Sequence, residues 1–236
     1  MLLALLLFWT AEKNKLGWKS WHRPASVGLL VLALLSRETA IIFPFLLMTV
    51  YISFLGGKRF WPALKASVLK AIPYFTAVFI YGILRLTKLN FDNTLNIYSE
   101  SNPYTESFLI RMYTFLNILW TYLRLMVLPL GQHMERSVAT YTYFWSSSVV
   151  LSFFTLAGLI VSVFYLYRKR SGNWPIWFFS ISWFFVNLGP TSGITPINAQ
   201  LYEHWLYLAL LGPITLVIFH LDYILDKFST KTYRIM

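Results

Sequence analysis

The sequence predicts an all-α, polytopic transmembrane helical bundle, with short or re-entrant helices and an interfacial segment. Three observations carry that reading. The chain is 57% hydrophobic and only 12% charged, where an ordinary soluble domain is about 25% charged. Its aromatic share of 19% exceeds what a soluble core needs and suits both interface belts and helix packing. Its formal charge of +11 falls mostly in short loops between apolar segments, as cytoplasmic anchoring requires. There is no cysteine, which excludes disulfides and thiolate metal sites. No nucleotide loop, internal repeat or nucleic-acid signature is present, so no nucleic-acid partner is expected. Residues 1–236 read as one membrane domain without a repeat domain.

The elements follow in order. "MLLALLLFW", Met1 to Trp9, is apolar but shorter than the roughly 17–25 residues of a crossing. It lacks the basic start and small-residue cleavage site of a signal peptide. It reads as a short anchor or, preferred here, as the tail of a helix whose beginning and preceding N-terminal part are missing from this sequence. The loop "TAEKNKLGWKSWHR" sets Lys13, Lys15, Lys19 and Arg23 against Glu12, and "GGKRFWPALK" is basic again. Pro24 to Leu55 lies between them, apolar except for "SRET" at Ser36 to Thr39. Two basic flanks belong on one side of the membrane. That predicts a hairpin of short helices turning near Arg37 and Glu38. One long tilted helix with a buried ion pair is the alternative.

Ala66 to Leu86 predicts an outward helix, kinked at Pro73, with Arg85 and Lys88 snorkelling at its far end. Asn90 to Ser107 holds Asp92, Glu100 and Glu106 and no basic residue, and reads as an external loop. Phe108 to Leu130 is long enough to cross, yet it carries Arg111 and Arg124. A crossing would put the loop of Arg168, Lys169 and Arg170 outside. Lying along or re-entering the external interface instead keeps the loops near Lys13, Lys58 and Arg168, and the tail with Lys227, Lys231 and Arg234, on the cytoplasmic side. Residues 89–146 are therefore read as an external loop and an interfacial or re-entrant region. Ser147 to Tyr167 crosses inward. Trp174 to Leu188 crosses outward, with Pro175 in its first turn. "GPTSGITP" is an external turn, and Tyr202 to Leu221 is the last inward crossing.

A charge at the centre of a membrane helix costs roughly 2.5–3.5 kcal/mol on insertion scales. Arg37, Glu38, Arg111, Arg124 and Glu203 therefore stand out, and the topology lets them converge near the external interface. Guanidinium groups match phosphate geometry, which makes a lipid phosphate or pyrophosphate a natural ligand. The plainer reading has Arg37 and Glu38 capping a turn while Arg111 and Arg124 snorkel. The candidate phosphate-binding set is Arg37, Arg111, Arg124 and His204. Glu38, Asp92 and Glu203 are candidates for polar support or the acceptor side. His22, His133, His204 and His220 show no ligand spacing of the HExxH kind, and no metal site is assigned. Asp92, Glu100 and Glu106 are either solvated loop residues or carboxylates for Mg²⁺ or Mn²⁺ in an intact enzyme. Tyr and Trp side chains near the external turns suit stacking on a sugar or isoprenoid, and equally interface anchoring.

Three stretches then carry a resemblance. "LLSRETAIIFPFLL" (Leu34 to Leu47) resembles an SKE-aliphatic-Pro segment. "NPYTESFLIRMYTFLNILWTYLRLMVLPL" (Asn102 to Leu130) is similar to an Asn-Pro, Arg, Tyr-Leu-x-Leu-x-x-x-Pro pattern. "WFFVNLGPTSGITPINAQLYEHWLYLALLG" (Trp183 to Gly212) is similar to a Pro-x-Ser-x-x-x-Pro…Glu-Arg/His-x-Leu-Tyr-Leu segment. Together they resemble the GT-C superfamily of membrane glycosyltransferases, more narrowly the transmembrane part of tetratricopeptide-repeat O-mannosyltransferase-like proteins and their bacterial relatives. The resemblance implies transfer of a hexose, such as mannose, from a polyprenyl-phosphate-linked sugar in the membrane lipid to a protein or glycan hydroxyl. It implies work on the non-cytoplasmic side of a bacterial inner membrane or the ER membrane, with the lipid tail in a helix-lined cavity.

It also implies that Glu203 and His204 match the acidic-basic pair opening a family helix, and that Arg37 and Glu38 match SKE. The family's catalytic Asp lies in its first external loop, ahead of the matched stretches. No residue here inherits that role, and turnover by this sequence alone is not expected. Ala209 stands where the family usually has Pro. A transporter or flippase and a non-catalytic assembly subunit are the competing functions.

Overall fold

The structure is a computed structural model that describes residues 1–17, 20–88, 101–136, 138–194 and 201–232. It is built almost entirely of helices. Among the described residues, three helical stretches are long and apolar enough to cross a membrane: Glu38–Leu55, Phe60–Thr87 and Ser147–Arg168. A bent pair, Glu203–Ala209 with Leu211–Leu221, makes a fourth if counted as one span. Large apolar side chains stay exposed on these stretches, including Leu69, Ile72 and Phe79 on one and Leu151, Phe154 and Val161 on another. Apolar surface of that extent is what a bilayer covers. The helices fit an integral membrane protein.

The chain forms two compact units, Met1–Met112 with Gly189–Gln200, and Tyr113–Leu188 with Leu201–Met236. In the first, α1 (Leu2–Lys13) buries Ala4, Phe8 and Ala11, the one-face spacing of an amphipathic helix. It packs on α2 (His22–Ser36). Their joint core holds Leu30, Leu34, Phe43, Leu47, Ala71 and Tyr74. Buried Ser26 donates to the Ala4 carbonyl at 2.6 Å, and the Tyr74 hydroxyl donates to Ser26 Oγ at 3.0 Å. The polar atoms of this core are thereby satisfied. Glu12 is held at 2.6 Å by both Arg23 and Lys70.

Arg37 ends α2. Its extended backbone (φ −153°, ψ 125°) leads into a 3-10 turn over Glu38–Ile42. The chain therefore breaks where "SRET" predicts, and no single long helix runs through it. Then α3 (Phe43–Val50) begins with Pro44 in its first turn, where the missing N–H costs nothing, and continues as a π turn over Tyr51–Leu55. Gly56 follows because a Cβ there would fall on Ala63. Helix α4 (Phe60–Thr87) is longer than expected and runs through Pro73 as one 28-residue element. The one-turn α5 (Pro103–Glu106) starts from an Asn102 capping box. Residues 89–100 of the predicted external loop, with Asp92 and Glu100, lie outside the described residues.

Helix α6 (Phe108–Val127) is not among the stretches apolar enough to cross. In the second unit it joins α7 (Ser147–Arg168), α8 (Trp174–Leu188), α9 (Leu206–Ala209) and α10 (Leu211–Thr232). The core there is Ile118, Leu119, Tyr122, Phe184, Leu188, Leu201, Leu206 and Ala209. The bounds of α7 and α8 match the predicted segments closely, but of the two only α7 is among the helices long and apolar enough to cross. The last predicted crossing does not form one straight helix. A 3-10 turn over Glu203–Trp205 and the single turn of α9 meet α10 at a bend of 53°. Pro213 explains the break, since it has no N–H to give the Ala209 carbonyl. The Trp183 indole donates to the Leu208 carbonyl at 2.8 Å and covers part of the gap.

Candidate functional site

The second unit contains a cleft of about 460 Å³. Helix α6 forms one wall. Asn117, Trp120, Thr121 and Arg124 face the cleft, at the i, i+3, i+4, i+7 spacing of one helical face. The opposite face buries Ile118, Leu119, Tyr122 and Leu125. A single amphipathic helix thus separates the polar wall from the core.

The facing wall is the irregular chain after α6, including His133, Glu135 and Arg136. Gly131 (φ +64°) turns it back. Glu203 then holds it. One Glu203 carboxylate oxygen accepts from the His133 backbone N–H at 2.9 Å and from Arg136 Nε at 2.7 Å. Arg136 Nη2 lies 2.7 Å from the same oxygen and also donates to the Gly131 carbonyl. A short antiparallel ladder pairs β1 (Glu135–Arg136) with β2 (Leu201–Tyr202), setting Glu135 opposite Tyr202. Below it, the buried Tyr122 hydroxyl donates to the Tyr202 carbonyl at 3.0 Å. Burial, and then the nearby Glu203 carboxylate, push the Tyr122 phenol well above its ordinary range. It stays a donor at every working pH.

Glu203, the most conspicuous charge ahead of the last apolar run, is therefore an anchor for the cleft wall. His204 is exposed and does not line the cleft. Its ring lies 5.2 Å from that of Tyr202 and 6.0 Å from that of Trp205. Arg124 is exposed within the cleft and has no ion-pair partner among the described residues.

The other singled-out residues belong to the first unit. Arg37 is exposed at the helix break. Glu38 pairs with Arg85 of α4, so Arg85 has a carboxylate partner as well as its place near a helix end. Arg111 donates to three backbone carbonyls: Gly193 at 2.8 Å, Thr105 at 2.8 Å and Tyr104 at 3.1 Å. Gly193 (φ +79°) holds a left-handed backbone that strains any L side chain, and a Cβ would press at 3.1 Å on Arg111 Cβ. Arg111 thus ties the turn after α8 to the segment before α6. Asp92 lies outside the described residues.

Sequence reasoning missed Arg136 and Trp120, and weighed His133 only as a metal ligand. Only Trp120 carried a usable signal, its helical spacing from Arg124. Arg136 lies in an irregular stretch, where no period marks its partner. Of the carboxylates considered for Mg²⁺ or Mn²⁺, Asp92 and Glu100 lie outside the described residues and Glu106 accepts from Ser101. Among the described residues no three His, Asp or Glu side chains gather to hold an ion. No family model, curated protein or solved structure matches the chain.

Proposed function

We propose that this chain is the membrane part of a GT-C-like glycosyltransferase, whose intact form passes a hexose from a polyprenyl-phosphate sugar to a hydroxyl acceptor. One observation carries the reading. Arg124 stands exposed in a polar cleft of about 460 Å³, beside Trp120 and without an ion-pair partner among the described residues. The three family-like stretches support it: one supplies the α6 wall of the cleft, and another supplies Leu201 and the Glu203 that holds the facing wall. In this reading Arg124 takes the departing lipid phosphate, whose negative charge grows as the sugar leaves. Trp120 offers a ring for the sugar to stack on. A general base deprotonates the acceptor. Basic loops near Lys58 and Arg168 face the cytoplasm, and the cleft faces the other side.

The test is binding of a polyprenyl phosphate to the purified chain in detergent. Arg124→Ala is expected to weaken binding about 10- to 100-fold, the worth of a charge-assisted hydrogen bond of roughly 1.5–3 kcal/mol. Arg124→Lys should recover only part, since an ammonium lacks the bidentate fork. Equal binding by all three proteins removes the proposal. The broken span at α9 and α10 favours one alternative, a lipid flippase, because transporters build sites at interrupted helices. Lipid translocation by the chain in vesicles, with no transfer in the intact enzyme, would select it.

A further inference from the structure

A second cavity lies wholly within the second unit, between α6, α7, α8 and α10. Its volume is about 180 Å³. Its wall is apolar, with Leu123, Leu156, Phe184 and Leu216 among the lining side chains. Two exceptions stand out, Ser152 of α7 and Ser180 of α8. Both line the cavity, both are 2% exposed, and neither hydroxyl has a hydrogen-bond partner among the described residues.

Serine and threonine in a membrane helix ordinarily bond back to the carbonyl four residues earlier. This protein follows that habit on the same elements. Thr155 donates to Leu151, Ser162 to Gly158 and Thr215 to Leu211. Ser152 and Ser180 do not. A buried hydroxyl without a partner is costly, and here two of them border one empty volume. Each needs an acceptor brought by something else.

We propose that the cavity takes the ester-bearing head of one acyl chain of a membrane glycerolipid, with Ser152 and Ser180 donating to ester oxygens. The volume fits a short hydrocarbon segment, since a cavity on the order of 150 Å³ holds one benzene. A sterol ring system is too large. A polyprenyl tail fills apolar space but carries no acceptor along its length, so it leaves both hydroxyls unmet. A glycerolipid supplies a carbonyl at the head of each chain. Water would find partners in the two serine hydroxyls and the Thr155 oxygen, but one water occupies only about 30 Å³ and leaves the rest of the apolar volume unfilled. The site is separate from the Arg124 cleft and does not depend on any transfer reaction.

The experiment compares two lipids that differ only in the carbonyl. The full chain is placed in nanodiscs of dioleoyl phosphatidylcholine or of its dialkyl ether analogue, and thermal unfolding is followed. The wild type is expected to melt about 2–4 °C higher in the ester lipid, the shift for a modest gain in a protein of this size. The Ser152→Ala/Ser180→Ala variant should lose that difference. In the ether lipid alone it should melt above the wild type, because it no longer buries unmet hydroxyls. An equal midpoint for the wild type in both lipids overturns the proposal, as does a difference that survives in the variant. If the variant melts higher by the same margin in both lipids, the cavity is empty. If it melts lower by the same margin in both, water fills the site. A second readout needs no unfolding. From an equal mixture of the two lipids, the wild type should retain the ester several-fold over the ether in mass spectra of the detergent-extracted protein. The variant should retain them equally, and equal retention by the wild type counts against the site.

Discussion

Glu203 shows what a single charge does here. It joins a backbone N–H and a guanidinium from a segment 67–70 residues upstream, so its loss frees the cleft wall rather than one contact. Glu203→Gln is expected to cost about 1–3 kcal/mol, measured as a lower thermal midpoint in detergent. Replacing both partners, Glu203→Leu with Arg136→Leu, should cost no more than Glu203→Leu alone, since no unpaired charge remains. Strictly additive losses would show that the pair does not hold the wall. Arg111 invites a similar test. Arg111→Lys cannot reach three carbonyls with one ammonium, and limited proteolysis should cut faster near Ser107 or Gly193. The sequence flags Glu203 and Arg111 because charges among apolar residues need a reason. It does not reveal their partners, because Arg136 and Gly193 sit in irregular chain and pairing across such distances leaves no period to read.

Helices were far more legible than contacts. Apolar runs bounded by basic loops located α4, α7 and α8, and "SRET" marked the break at Arg37. The bend between α9 and α10 was missed, because summed hydropathy is blind to a lost N–H. Pro213 was the local sign. Gly212 sits one residue earlier and lets α10 touch α8, where a Cβ would fall on the Ser180 carbonyl. Gly212→Ala is thus expected to lower the thermal midpoint by the equivalent of about 1–3 kcal/mol, the usual cost of overpacking. Gly158 of α7 has nothing within 4 Å of such a Cβ. Gly158→Ala should be neutral or stabilising by up to about 1 kcal/mol. Equal gains at both glycines would mean that helix propensity, and not the α8–α10 crossing, controls the result.

At the scale of the molecule, composition alone predicts a helical membrane protein, and the described helices fit one. The division into two units was not legible, since the first recruits Gly189–Gln200 from far along the chain. Which loops share a side is testable, because the chain has no native cysteine. Single cysteines at Asp92 and Gln132 should both react with a membrane-impermeant thiol reagent on intact cells, and cysteines at Lys58 and Arg168 should not. Reaction at only one of the first two would make α6 a crossing. The hydroxyl chain from Tyr74 through Ser26 to the Ala4 carbonyl also bears on the order of events at the ribosome. Ser26 and Tyr74 are 48 residues apart, so at about 5–20 residues per second the later partner follows by roughly 2–10 s. Through that interval Ser26 already has the Ala4 carbonyl as its acceptor, so α1 and α2 can pair before α4 is made. The Tyr74 phenol then finds its own acceptor waiting in the Ser26 oxygen.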